Sequence, residues 1–253
     1  MGKYVTAGGV RTYYEEHGEG EPLLLMHGGT CTIETFSGLS SELAKRYKVT
    51  LPERRGHGRT ADVDGPISYD LMAQDTIAFM EVLGIASAHM VGYSDGAVAG
   101  MLVAISRPDL VKKFVSISGN FDIDGLTEEA RAFWQSATLE TFQRHSVLSR
   151  LVEMYKETTP DGPEHFSVVL EKLRRMWAEE PKISPQDLRR ITAPTLVIVG
   201  DRDEITLEHT IELFRAIPNA QLCIVPGASH ALVFEKPGLV IQVILDFLAD
   251  ERR

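Results

Sequence analysis

The sequence predicts an α/β fold in which a mostly parallel, twisted sheet is flanked by helices and interrupted once by an all-helical insertion. Three observations predict it. Short apolar runs of strand length alternate with longer stretches of helical period, the pattern of a parallel sheet. Polar residues able to do chemistry fall just past the ends of several of these runs, where open parallel sheets collect their sites. From about residue 122 to 186 the strand signals stop and only helical patterns remain.

Taken in order, residues 4–6 and 10–16 read as a hairpin around Gly8-Gly9, and Leu23-Leu24-Leu25-Met26 as the next strand. Residues 33–46 read as a helix and 47–51 as a strand. Residues 70–83 carry helical periodicity through Leu71, Ile77, Met80 and Leu83, stopped by Gly84. Ala88-His89-Met90-Val91 suits a buried strand, residues 97–105 a buried helix ending near Pro108, and 111–118 another buried strand. Three helical patterns fill the insertion, 127–137, 139–157 and 163–180, the last two separated by the turn chemistry of Thr159-Pro160-Asp161-Gly162-Pro163. After Pro194 the alternation resumes with strands at 195–200 and 222–225. The expected organisation is one core domain in two parts, 1–121 and 187–253, with residues 122–186 as a cap over the strand ends.

Composition bounds the partners. A hydrophobic fraction of 43% in 253 residues allows a sizeable core, and a single α/β domain often reaches this length. The net charge of −10, with no basic run to offset it, argues against a nucleic-acid partner. Two cysteines, Cys31 and Cys223, make no disulfide framework, so a reducing cytoplasm is the expected location. No apolar run approaches the length of a membrane span, so no stable membrane association is expected. Met1-Gly2-Lys3-Tyr4-Val5-Thr6 formally fits a lipidation pattern and reads more simply as a start running into a strand. No His-Glu-x-x-His or paired Cys-x-x-Cys occurs, so no metal or other cofactor is implied. Composition leaves homo-oligomerisation open.

The most informative run is Gly92-Tyr93-Ser94-Asp95-Gly96, a Gly-x-Ser-x-Gly sequence between a predicted strand and a predicted helix. A serine on so sharp a turn is held in a strained conformation with its hydroxyl above the sheet edge, and glycines at 92 and 96 avoid clashes across the turn. A serine hydroxyl is a weak nucleophile and needs a base within hydrogen-bond reach. His230, at the end of Pro226-Gly227-Ala228-Ser229-His230, is the candidate base. An acid must then orient that imidazole. Asp201 and Asp203, at the end of strand 195–200, compete for this role.

Ser, then Asp, then His is the chain order of the α/β-hydrolases. Over nearly its whole length the chain resembles this serine hydrolase family. His27-Gly28-Gly29-Thr30 and Arg55-Gly56-His57-Gly58-Arg59-Thr60 support the resemblance, as does the Gly227-Ala228-Ser229-His230 loop with Glu235 and Pro237 beyond it. Glu53 and Thr60 stand where the family usually has Asp and Ser. The resemblance favours Asp203 over Asp201 as the acid. It places the oxyanion hole on the backbone amides of Asp95 and Gly29, with Thr30 as runner-up for the second donor. His27 is expected to shape its loop, and Cys31 to fill space beside it.

The Gly-x-Ser-Asp-Gly elbow resembles the valacyclovir-hydrolase-like subset, which acts on amino-acid esters. Asp95 would then bind a substrate amine; the alternative is an ion pair with a cap arginine, Arg131 or Arg144. Thr30, Trp134, Phe142 and Trp177 are further candidates for substrate contact. The resemblance implies a small or medium carboxylic ester or lactone as substrate, cleaved through an acyl-enzyme on Ser94. Carbon–carbon bond or amide hydrolysis is a second expectation, and a slow-turnover ligand sensor that retains the triad a third.

Overall fold

The computed structural model describes residues 2–250. Met1 of the N-terminal pattern lies outside them. The chain builds one eight-stranded sheet from β1 (Lys3–Ala7), β2 (Val10–His17), β3 (Glu21–Met26), β4 (Tyr47–Pro52), β5 (Ala88–Tyr93), β6 (Val111–Ile117), β7 (Thr195–Arg202) and β8 (Ala220–Ser229). The spatial order is β1-β2-β4-β3-β5-β6-β7-β8. β1 and β2 pair antiparallel, as does β2 with β4, and the remaining strands run parallel.

Eleven α-helices accompany the sheet among the described residues: α1 (Ser37–Leu43), α2 (Tyr69–Val82), α3 (Asp95–Ser106), α4 (Glu128–Ser136), α5 (Leu139–Arg144), α6 (Leu148–Thr158), α7 (Phe166–Glu179), α8 (Pro185–Leu188), α9 (Leu207–Ala216), α10 (Leu232–Glu235) and α11 (Pro237–Ala249). Alternation along the central strands sends side chains to two cores, because successive residues face opposite sides of a sheet. Leu24, Met26, Met90 and Phe114 pack with α2 and α3 on one face. Leu23, Leu25, Val91 and Val115 pack with α1 and α11 on the other. Parallel strands buried on both faces must be apolar almost throughout, which is why they stood out in the sequence.

Several boundaries differ from expectation. Residues 33–46 split into a 3₁₀ turn, Ile33–Phe36, and the short α1. The pattern at 139–157 is two helices, broken at 145–147, where the His145 ring accepts the amides of Val147 and Leu148. A side chain that captures those amides competes with continuation of the helix. Between residues 122 and 186 no strand forms; one isolated bridge, Asp122↔Lys182, joins the two ends of the insertion, and another, Leu126↔Ile205, ties it to the loop after β7. Among the described residues no helix is long and apolar enough to cross a membrane.

The β5–α3 junction is tightly packed. A β-carbon on Gly92 would lie 2.3 Å from the Gly96 carbonyl oxygen, and one on Gly96 would lie 2.2 Å from that of Met26. Gly96→Ala should therefore lower stability by roughly 1–3 kcal/mol, the scale of overpacking in a well-filled core. Urea denaturation checks this, and an unchanged midpoint would contradict the packing described here.

Candidate active site

Ser94 stands between β5 and α3 with φ 53° and ψ −121°, a conformation that side chains rarely adopt. Its amide is tied to the Ile117 carbonyl at the end of β6, at 2.9 Å. Held there, Ser94 Oγ lies 3.0 Å from His230 Nε2, and His230 Nδ1 lies 2.8 Å from Asp203 Oδ1. A neutral imidazole protonated on Nδ1 donates to Asp203 and leaves Nε2 free to accept the serine proton. The three side chains arrive from the ends of β5, β7 and β8, brought together by the parallel sheet.

Asp203 and Asp201 are used differently. The buried Asp203 side chain also accepts the Ser118 hydroxyl at 2.5 Å and the Ile205 amide at 3.2 Å. Burial pushes its carboxyl up, but the His230 charge and these hydrogen bonds outweigh that and hold it below its ordinary value. Asp201 is exposed and accepts the Gly227 amide at 2.7 Å, crossing to β8 where the β7–β8 register shifts. Burial lowers the affinity of His230 for a proton, and Asp203, with help from Glu204 and Asp95, more than reverses this, pushing the group up to about 9.

Two buried histidines brace the neighbouring loop. His27 Nε2 accepts the Arg54 amide and His57 Nε2 accepts the Thr30 amide, both at 3.1 Å, and their other ring nitrogens meet the Gly28 and Arg55 carbonyls. Burial keeps both rings neutral, with His57 lowered to about 4. Because the Thr30 amide is engaged by His57, Thr30 is not free to be the second oxyanion donor. Gly29 faces the same cavity. The Asp95 amide opens α3 and so has no partner within the helix. Cys31 is buried beside this loop, which pushes its thiol up to about 11.

A cavity of about 500 Å³ covers Ser94, Gly29, Asp95 and His230. Thr30, Trp134 and Trp177 line it as expected residues, together with Tyr69, Asn120, Leu148, Leu151 and Phe234. Phe142 does not line it, contrary to expectation. Its ring is fully buried inside the insertion, edge-on to Trp134 and Phe166 at 6.2 and 5.6 Å, because α5 turns its one aromatic side chain inward. Neither cap arginine reaches Asp95: Arg131 pairs with Asp124 and Arg144 with Glu140. The buried Asp95 carboxylate instead accepts the Tyr69 hydroxyl at 2.8 Å and the Trp177 indole, with buried Arg54 acting on it as a cation. Burial dominates nonetheless, and its affinity for a proton is raised.

Sequence reasoning missed Ser118 and Tyr93. Ser118 grips the free oxygen of Asp203 from a left-handed conformation, φ 49°. The Tyr93 hydroxyl donates to the His230 carbonyl at 3.0 Å and so holds the histidine loop to the elbow. No residue pattern flags either contact, since both depend on strands far apart in the chain. Among the described residues, no group of three His, Cys, Asp or Glu side chains is placed to hold a metal ion.

The family model described as the alpha/beta hydrolase family matches residues 23–243. This chain belongs to that family. It is 25% identical to a 2-hydroxymuconate semialdehyde hydrolase of a Pseudomonas species, over 99% of this chain and 94% of the relative. A meta-cleavage product hydrolase from Pseudomonas fluorescens superposes with a TM-score of 0.84 at 24% identity, covering 98% of this chain and 97% of that one. An enol-lactonase from Burkholderia xenovorans superposes with a TM-score of 0.79 at 19% identity, covering 98% and 100%. The likeness to the valacyclovir-hydrolase-like subset rests on the Asp95 elbow alone; the curated relative above carries a different name.

Two measurements test this geometry. Asp203→Asn should reduce turnover by ~10⁴-fold, the scale reached when a serine hydrolase loses the carboxylate orienting its histidine. Asp201→Asn, which alters one contact to the β8 backbone, should change it far less, and the reverse ranking would reassign the acid. The pH profile is the second. A base must be neutral to take a proton, so kcat/KM should rise as His230 deprotonates. With the group pushed up to about 9, that rise should continue through pH 7 to 9 on a substrate that does not titrate. A plateau already reached at pH 7 would contradict the strong pull of Asp203.

Proposed function

We propose that this protein is a Ser94-dependent hydrolase that cleaves a carbon–carbon bond next to a ketone. The observation that carries the reading is the Ser94–His230–Asp203 chain of contacts, at 3.0 and 2.8 Å, in a chain that is similar end to end to a 2-hydroxymuconate semialdehyde hydrolase. The geometry accounts for each step. Ser94 Oγ adds to the ketone carbon while His230 Nε2 takes its proton. The developing oxyanion meets the amides of Gly29 and Asp95. Collapse of the adduct breaks the carbon–carbon bond, and the imidazolium returns its proton to the departing carbon. Water then adds to the acyl-enzyme with His230 again as base, releasing the acid and freeing Ser94. A carbon leaves only if its electrons are delocalised, so the substrate class is a conjugated or enolised ketone.

A second reading, hydrolysis of esters or lactones, is favoured by the charge of the cavity. Asp95, Glu180, Glu204 and Glu235 line it, while the one lysine or arginine lining it among the described residues is the exposed Arg202. Such a lining disfavours an anionic substrate and suits a neutral or amine-bearing ester. The same machinery serves, with the proton returned to an alcohol oxygen.

An alkyl fluorophosphonate should label Ser94, and Ser94→Ala should abolish labelling and lower turnover by a factor on the order of 10⁴–10⁶. Labelling elsewhere would sink the assignment. A conjugated 2-hydroxy-6-oxodienoate, monitored by loss of its absorbance, should give a higher kcat/KM than p-nitrophenyl esters and γ-lactones. The opposite order would transfer the assignment to the second reading.

A further inference from the structure

Trp134 and Trp177 are the only two tryptophans in the chain, and both hang from the helical insertion, on α4 and α7. Both line the cavity, and their rings meet edge to face with centroids 5.0 Å apart. Each indole donates to a carboxylate of the core. Trp177 Nε1 lies 3.1 Å from Asp95 Oδ1 and 3.2 Å from Oδ2. Trp134 Nε1 lies 2.7 Å from Glu204 Oε2. The two acceptors hold equivalent places in the sequence: Asp95 comes directly after Ser94, and Glu204 directly after Asp203.

We propose that these two indole–carboxylate bonds latch the insertion onto the nucleophile elbow and the acid loop, making Trp134 and Trp177 positioning residues for hydrolysis. Hydrogen bonds to an ionised acceptor are stronger than neutral ones, and the one to Asp95 is buried. On the elbow side the fit is tight. A β-carbon on Gly29 would lie 2.5 Å from Asp95 Oδ2 and 2.6 Å from Trp177 Cζ2. The oxyanion loop, the carboxylate and the indole are therefore wedged together, and a shift of Trp177 disturbs the residue whose amide faces the oxyanion. On the acid side the latch is reinforced by the backbone. The Thr127 amide donates to the Glu204 carbonyl at 2.8 Å, and Leu126 bridges Ile205. A substrate ammonium at Asp95 would share the carboxylate with Trp177 and Tyr69.

The test uses Trp177→Phe and Trp134→Phe, which keep an aromatic ring and remove the N–H. Its kinetic arm, the rate of Ser94 labelling by an alkyl fluorophosphonate, rests on the hydrolase reading; its fluorescence arm does not. Each variant should slow labelling by about tenfold, the loss expected for one hydrogen bond to a charged group. Trp177→Phe combined with Asp95→Asn should be little worse than the more damaged single variant, and likewise Trp134→Phe with Glu204→Gln. Trp177→Phe with Glu204→Gln should multiply. Multiplying effects within either pair would overturn the latch. Should Asp95→Asn, beside buried Arg54, fail to fold, the Trp134–Glu204 cycle carries the test alone.

With Trp134→Phe, all tryptophan emission comes from Trp177. Adding Asp95→Asn should then shift emission to the red and increase acrylamide quenching, and adding Glu204→Gln should do so far less. Emission unmoved by Asp95→Asn would overturn the proposal. If wild-type protein resists labelling while emission responds as stated, the hydrolase reading fails and the latch stands. If Asp95→Asn selectively loses amino-acid esters while Trp177→Phe leaves every rate unchanged, Asp95 is a substrate contact and the latch is wrong.

Discussion

The backbone of Ser94 is the constraint on which the rest of the site depends. A serine at φ 53° persists only where its surroundings over-determine it. Here they do: Gly92 and Gly96 let strand, helix and the Met26 carbonyl approach within distances that no β-carbon permits, and the Ile117 carbonyl holds the serine amide. The three non-glycine residues with positive φ among those described are Thr30, Ser94 and Ser118. One sits in the oxyanion loop, one is the candidate nucleophile, and one grips the candidate acid. Backbone strain in this molecule is concentrated where the chemistry would occur.

Around that point the polar groups form a braced frame. His27 and His57 are neutral because burial opposes their charged forms, and as neutral rings each accepts one amide while meeting one carbonyl. They tie the 27–31 loop to the 53–60 loop. Glu53 and Thr60, which stand where the family usually has Asp and Ser, keep this second loop closed. Glu53 accepts the Arg59 amide and guanidinium, and the Thr60 hydroxyl donates to the Glu53 carbonyl at 2.8 Å. A longer acid at 53 is accommodated because Gly58 has no side chain; a β-carbon there would lie 2.3 Å from the Glu53 carboxyl carbon.

The electrostatics of the cavity pull in two directions. Carboxylates close to a developing oxyanion oppose it, yet Asp203 also raises the basicity of His230, which helps it take the serine proton. Asp95 is partly neutralised by the protein itself, through Tyr69, Trp177 and the Arg54 charge. The chain thus shares its fold with a meta-cleavage product hydrolase while its cavity presents an acidic lining that an anionic substrate would not favour.

The sequence by itself determined the sheet, the elbow and the order of the three candidate residues. These are local facts: a strand buried on both faces must be apolar, a tight turn needs glycines, and the residues just past a strand end are exposed to the cleft. Tertiary structure decided which of Asp201 and Asp203 meets His230, because only the pairing of β7 with β8 turns one inward and leaves the other on the Gly227 amide of β8. It also withdrew Phe142 from the cavity and took the Thr30 amide for His57. It gave Asp95 an indole and a phenol in place of a cap arginine. The hydrogen bonds involved join residues 26 to 136 positions apart, as with Tyr69 and Asp95 or Ser94 and His230. At such separations only the packed sheet and insertion define which side chains meet.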